Sequence, residues 1–259
     1  AGNTAVGRAA LLVNSTGYNN VSVGAFALDA NTTGVENTAV GEGALSTNTT
    51  GNNNVAVGRQ ALVSSTTSSN NTAVGFKALH ANTTGSINVA IGYNALDANT
   101  TGASNVAIGV SALTEDTRQS GCVAIGLEAF KRLTAGHHNL AIGHQAGDHY
   151  TSTVDTTIVG YSAGTSGTTG ERNTIVGSHA FIQSTTAQQN TAVGHGALNK
   201  ATTGSSNTCV GQLALLEVTT GNSNTAVGRN AGSSITTGTN NVFIGDSAGA
   251  AASSSTDNN

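Results

Sequence analysis

Four of the seven histidines fall close together, at His137, His138, His144 and His149. Imidazoles gathered at one edge can ligate a transition metal, and His137, His138 and His144 are the candidate ligands. The competing reading is a set of solvated loop histidines, and no metal or other cofactor is expected. Charged and bulky side chains collect in the same stretch. Glu115, Arg118, Lys131, Arg132, Asp148, Tyr150 and Arg172 form a candidate lateral patch for a receptor, a glycan or a neighbouring fibre protein. Drift in an old repeat is the alternative. Signatures of catalysis are missing. Gly41-Glu42-Gly43 and Gly194-His195-Gly196 lack the third glycine of a dinucleotide fingerprint, and no Gly-x-Ser-x-Gly elbow occurs. No column of carboxylates recurs that could supply an acid and a base, so an enzyme is not expected.

The elements that would hold these residues follow from one feature. Glycine recurs every 17 residues, from Gly7 to Gly245, in fifteen copies of one unit whose first residue is Asn3. Position four is Val or Ile in all fifteen copies, position eight is always Ala, and position one is Asn in thirteen, with Cys122 and Thr156 as exceptions. The unit that begins at Asn88 displays the pattern, with Ile91, Gly92, Ala95, Leu96, Thr100 and Gly102 at its defining places. A fixed period of this length marks a solenoid, in which each unit buries its apolar residues only against its neighbours. Residues 1–259 read as a single repeat array.

Composition narrows the partners. Thirteen acidic and nine basic residues give a net charge of -4, which offers no basic stripe for nucleic acid and no polybasic membrane patch. No apolar run approaches a membrane span, so membrane insertion is not expected. The chain contains no methionine, and its repeat frame is open at both ends, with Asn258 and Asn259 entering a further unit. The expectation is of coils that continue into neighbouring segments, or of end-to-end filaments. Seven Asn-x-Ser/Thr sequons start at Asn14, Asn20, Asn31, Asn48, Asn70, Asn82 and Asn99, produced by the turn consensus itself.

Gly and paired Thr within 17 residues leave no space for an amphipathic helix, so the fold class is all-β, a parallel β-solenoid. Positions two to four form a short strand, the glycine after it makes a bend, and positions eight and nine are read as a second strand. Asn-Thr-Thr-Gly, as at 31–34, is a turn. Parallel stacking sets equivalent residues about 4.8 Å apart, giving fifteen coils a length of about 70 Å. Stacked Asn at position one predicts an amide ladder, and Thr at position thirteen, replaced by Ser15 and Ser253, predicts a turn closure. Val57, Val74 and Ile91 are expected in one buried column. Cys122 and Cys209 lie five coils apart, too far for a disulfide, and are read as small core residues. Apolar residues on both faces of the strand require a second cover, which predicts self-association as a cyclic trimer or dimer.

The strings Asn88-Val89-Ala90-Ile91-Gly92, Asn105-Val106-Ala107-Ile108-Gly109 and Cys122-Val123-Ala124-Ile125-Gly126 resemble the head repeats of trimeric autotransporter adhesins. The longer unit from Asn71 to Gly85 resembles the shafts of trimeric phage and bacterial fibres. The resemblance implies a left-handed parallel β-roll that trimerises, an extracellular, cell-surface or virion location, and attachment to a host receptor or glycan without catalysis. Units here are longer than the usual head repeat, which implies an enlarging surface loop. An ice- or glycan-binding solenoid is the alternative, suggested by Thr columns at regular axial spacing.

Overall fold

The computed structural model describes residues 2–252, 254, 255 and 257, so Ser253, Asn258 and Asn259 lie outside the described residues. The chain divides into two compact units, 1–128 and 129–259. In the first, eight three-residue strands run from Thr4–Val6 to Val123–Ile125, each paired in parallel with the next at an offset of one repeat. In the second, seven strands run from Leu140–Ile142 to Val242–Ile244 in the same register, and a further two-stranded ladder joins Ala135–His137 to Ser152–Val154. Every element among the described residues is a strand. The protein is an all-β parallel solenoid with one coil per 17 residues.

The strand stops at position five because only glycine fits there. Gly41 has φ +132°, a backbone region closed to side chains, and a Cβ on it would lie 2.6 Å from the carbonyl oxygen of Gly58. The same approach recurs along each unit, as for Gly24 on Gly41. Close contact between coils therefore explains the unbroken glycine column better than bending alone.

Positions eight and nine are not a strand. They belong to a turn in which position nine is left-handed in every coil, with φ between 50° and 54° at the leucines. This conformation costs a leucine about 1–2 kcal/mol. What holds it is an amide pointed at the next coil, as in Leu28 N–H to Ala44 C=O at 2.9 Å and Leu45 N–H to Ala61 C=O at 3.0 Å. The leucine side chain gains full burial in the same arrangement: Leu28, Leu45, Leu62, Leu79 and Leu96 are 0% exposed. Burial of that kind is worth roughly 1.5–3 kcal/mol per side chain, enough to offset the strain.

Two amide ladders run through the interior. Asn37 receives the pattern expected at position one: its N–H and its Nδ2 both donate to Asn20 Oδ1, at 2.9 and 3.2 Å, and Nδ2 also donates to Gly51 C=O at 2.8 Å. Asn88 repeats it, with its N–H on Asn71 Oδ1 and its Nδ2 on Gly102 C=O, both 2.9 Å. The second ladder, at position twelve, joins Asn14, Asn31 and Asn48, and separately Asn82 and Asn99. These amides satisfy backbone groups that the turns leave open, and burial makes an unpaired group expensive. Position thirteen works axially: Thr100 Oγ1 donates to Thr117 C=O at 2.8 Å.

Sidedness of the strand differs from the expectation. Val57, Val74 and Ile91 do stack in register, but they point outward and are not buried; Ile91 is 38% exposed. The buried column is position three, where Ala56, Ala73 and Ala90 are 0% exposed. A narrow coil has room for a methyl group opposite the leucine column, so Ala faces in and the β-branched residues face out.

Two glycines of one coil separate backbone strain from close approach. Gly41→Ala is expected to cost about 3 kcal/mol or more, since it adds a clash to a forbidden φ. Gly43→Ala should cost about 1 kcal/mol, because φ there is +65° and the nearest atom to an added Cβ is 3.9 Å away. Denaturant midpoints of the two variants check the ranking.

Candidate interaction face

The strand's outer surface carries positions two, four and six. In the first unit, position six presents Phe76, Tyr93, Val110 and Leu127 in four successive coils, beside the Val/Ile column. Phe76 and Tyr93 stack with centroids 5.4 Å apart and planes at 19°, and Tyr93 is 51% exposed. Arg59 and Lys77 place their cationic groups 5.7 and 5.6 Å from the Phe76 ring. The result is an apolar strip with cations beside the Phe76 ring. The turns are mostly Thr, Asn, Ser and Gly, with Ile87 exposed among them.

In the second unit the same surface carries a ladder of rings. His144 stacks on Tyr161 at 5.3 Å and 8°, Tyr161 meets His179 edge-on at 5.2 Å, and His179 meets His195 at 5.8 Å. Charge pairs also follow the one-coil offset. Lys200 reaches Glu217 at 2.8 Å and, in the first unit, Arg59 reaches Glu42 at 3.1 Å. Exposed pairs of this kind are worth less than about 1 kcal/mol each. They align neighbouring coils rather than carry the fold.

His137, His138 and His144 are not brought together as a metal site. His137 and His138 pack edge to face at 4.7 Å, His138 Nδ1 turns to Asp155 at 3.5 Å, and the ring of His144 lies on Tyr161. Among the described residues no group of three or more His, Cys, Asp or Glu is placed to hold a metal ion. Cys122 and Cys209 are both buried and form no disulfide, and burial pushes the Cys209 thiol up to about 12.

The candidate lateral patch needs a correction at Tyr150, which is 0% exposed and forms part of the core. Asp148 is also buried, whereas Glu115, Arg118, Arg132 and Arg172 are exposed and Lys131 is half-buried. Glu115 and Arg118 belong to the first unit and the others to the second. Arg172, at position seventeen, sits on a different turn from Lys131 and Arg132, at positions ten and eleven.

Irregularity in the second unit follows instead from interior volume. Tyr150, Phe130, Ile158, Ile175 and Phe243 are larger than the residues usual in their columns, and the rings of Tyr150, Phe130 and Phe243 each have a glycine facing them. A Cβ on Gly147 would lie 2.6 Å from the Phe130 ring, and one on Gly232 would lie 2.7 Å from Phe243. Gly167 and Gly249 would overlap the rings of Tyr150 and Phe243. The loss of Leu at Gly147, Gly164, Gly232 and Gly249, and of Asn at Tyr150 and Gly167, is thus an exchange of volume within and between neighbouring coils, as close-packed interiors require.

Five sequon asparagines, Asn20, Asn31, Asn48, Asn82 and Asn99, are fully buried in the ladders. Asn14 is half-buried and Asn70 is exposed. No pocket opens on the described surface, and no helix there is long and apolar enough to cross a membrane. No protein-family model, curated protein or solved structure matches the chain.

Volume exchange between coils is open to a double-mutant cycle. Gly167→Ala is expected to destabilise by about 2–3 kcal/mol through overpacking against Tyr150. In a Tyr150→Ala background most of that penalty should vanish. Thermal unfolding of the four proteins gives the coupling, and additive effects would show that the two residues do not compete for space.

Proposed function

We propose that this chain is a non-catalytic structural segment of an extracellular homo-oligomeric fibre, carried on a cell or virion surface, in which two further copies cover the outward strand face. The observation that carries the reading is the Val/Ile column, which is apolar in all fifteen coils and outward-facing. Strand propensity accounts for a β-branched residue in this column but not for an apolar one on the solvent side in every coil, whereas a packed interface gains roughly 25 cal/mol per Å² of apolar surface covered. The sequence resemblance to trimeric adhesin and fibre repeats supplies the number three. Stiffness supports the fibre role: backbone, amide and hydroxyl groups bond from coil to coil, so bending one coil strains its neighbours. In this reading the fibre holds its binding regions away from the surface that bears it and attaches to a host receptor or glycan without making or breaking a bond.

A second reading has one specific observation behind it. Position fourteen is an exposed Thr in six successive coils of the first unit, Thr16, Thr33, Thr50, Thr67, Thr84 and Thr101. Such a column suits an ordered surface such as ice or a crystalline glycan. Position thirteen does not widen it, because those hydroxyls bond to the next coil, as Thr49 does to Thr66 C=O at 3.0 Å. A measurement of thermal hysteresis separates the two readings.

Adjacent residues give the test of the oligomer. Ala107 is 0% exposed and faces the interior, while Ile108 is on the outward face and only half-buried. Ala107→Glu should prevent folding, since an unpaired buried charge costs several kcal/mol at least. Ile108→Glu should keep the β-rich circular dichroism spectrum yet shift the mass in light scattering from trimer to monomer. A stable wild-type monomer at micromolar concentration would remove the proposal.

A further inference from the structure

We propose that Asp116 is a proton-binding site: its place in the position-twelve ladder calls for a donor and so favours the protonated carboxyl, and its ionisation loosens the turn at residues 116–119. Three coils define the demand. Asn31, Asn48 and Asn99 each donate Nδ2 to the preceding member of the ladder, Asn14, Asn31 and Asn82, and to a carbonyl of their own turn. On Asn48 and Asn99, Oδ1 accepts the N–H of the glycine three residues on, at 3.1 and 3.0 Å. Asp116 keeps the accepting half of this arrangement. Its Oδ1 takes the N–H of Gln119 at 2.9 Å and that of Arg118 at 3.1 Å.

The other branch of the carboxyl therefore stands where the ladder has an amide. Asp116 is 0% exposed, and Oδ2 is buried without a hydrogen-bond partner. In the coils of Asn48 and Asn99 the atom at this place meets two acceptors, the side-chain oxygen of the preceding member and the carbonyl three residues on. The equivalents for Asp116 are Asn99 Oδ1 and the carbonyl of Gln119. A carboxylate there sets lone pairs against lone pairs, whereas a protonated oxygen donates as Nδ2 does elsewhere. Gln119 Nε2 is buried and unpartnered too, so it does not serve the carboxylate in this arrangement.

Charges around the turn are few. Within the first unit they are Glu115 and Arg118, both exposed and on the turn itself, with the Cys122 thiol 3.6 Å from Gln119 Oε1. The preceding coil offers Asn99, Thr100 and Thr101 and, two residues before Asn99, the half-buried carboxyl of Asp97, whose proton affinity burial also raises against the pull of His80. The next ionisable groups along the chain after Glu128 are Lys131 and Arg132, in the second unit. Burial raises the carboxyl from 3.8 to about 6, opposed by the amides of Gln119 and Arg118. The sign follows from linkage. A carboxyl that holds its proton more tightly when folded stabilises the turn fully below pH 4, and that contribution is lost as pH climbs through about 6.

Amide hydrogen exchange reads this locally. Protection factors at Thr100, whose N–H bonds to Thr117 C=O, and at Arg118 and Gln119 should fall about a hundredfold between pH 4 and pH 8, the amount set by the shift in proton affinity. Asp116→Asn restores the donor and should hold those factors high and level across the range. Carbon-13 NMR of the wild-type side chain should show Asp116 titrating near 6. The proposal is overturned by titration in the ordinary carboxylate range, by wild-type protection that does not change with pH, or by an Asp116→Asn variant whose protection at pH 8 is no higher than wild type. Should the variant fail to fold, the wild-type titration decides alone.

Discussion

Everything in this protein depends on one coil bonding to the next at the same positions. A 17-residue coil is too small to enclose a core of large side chains, and most of its backbone groups have no partner within it. The partners are supplied by the neighbouring coils, through strands at positions two to four, left-handed amides at seven and nine, and threonine hydroxyls at thirteen. The glycines at position five allow this by letting backbones meet where a Cβ would overlap a carbonyl. Each coil is stable only as part of a series, which is the physical content of the period.

From that constraint comes a rule for variation. A residue can change only with its neighbours in space, and the neighbours are known from the period. Asn at position twelve goes with Gly at position fifteen, because a Cβ on Gly34 would overlap the side-chain oxygen of Asn31. Where position twelve is Ser65, position fifteen is Ser68, and their hydroxyls pair at 2.6 Å. Where it is Asp116, the turn has Gln119, and where it is Tyr150, it has Thr153. Bulk follows the same logic across coils, with Tyr150 admitted by Gly167 and Phe243 by Gly232 and Gly249.

Much of this was legible in the sequence, and what was not has physical causes. The period, the parallel stacking and the position-one ladder follow from columns of Gly and Asn, since those residue types have few other reasons to recur. Sidedness was not legible, because Val-Ala-Ile is apolar on both faces and alternation alone does not say which face is inside. The left-handed leucines were hidden because propensity argues against them, and Ala-Leu reads as strand until the coil's amides are assigned. Tyr150 and Asp148 read as surface groups because they stand among charged residues in a turn that has lost its consensus. Volume exchange explains Tyr150 at once when its facing glycines are known. Spacing by 17 identifies Gly167 as its axial neighbour, so that signal was present in the sequence.

The outward column poses a different kind of question. Two interior columns vary when a neighbour compensates: position three is Ala, Ser, Cys, Ile or Phe, and position nine is Leu, Phe or Gly, whereas the buried position eight is always Ala. Position four, which faces out, is Val or Ile without exception. Packing within one chain places the weaker demand on the outward residue, so constancy there equal to that of the buried Ala at position eight is more than the chain's own stability would produce. Strand propensity accounts for part of it, since β-branched residues suit the pleat, but Thr satisfies that preference equally well and occurs at position two, on the same face. The choice of Val and Ile over Thr at position four is then a preference for an apolar surface at that column. The proposal of a self-associating fibre rests on this column, because an apolar surface kept over the whole array is one that gains from being covered, and the fold of a single chain asks little of it.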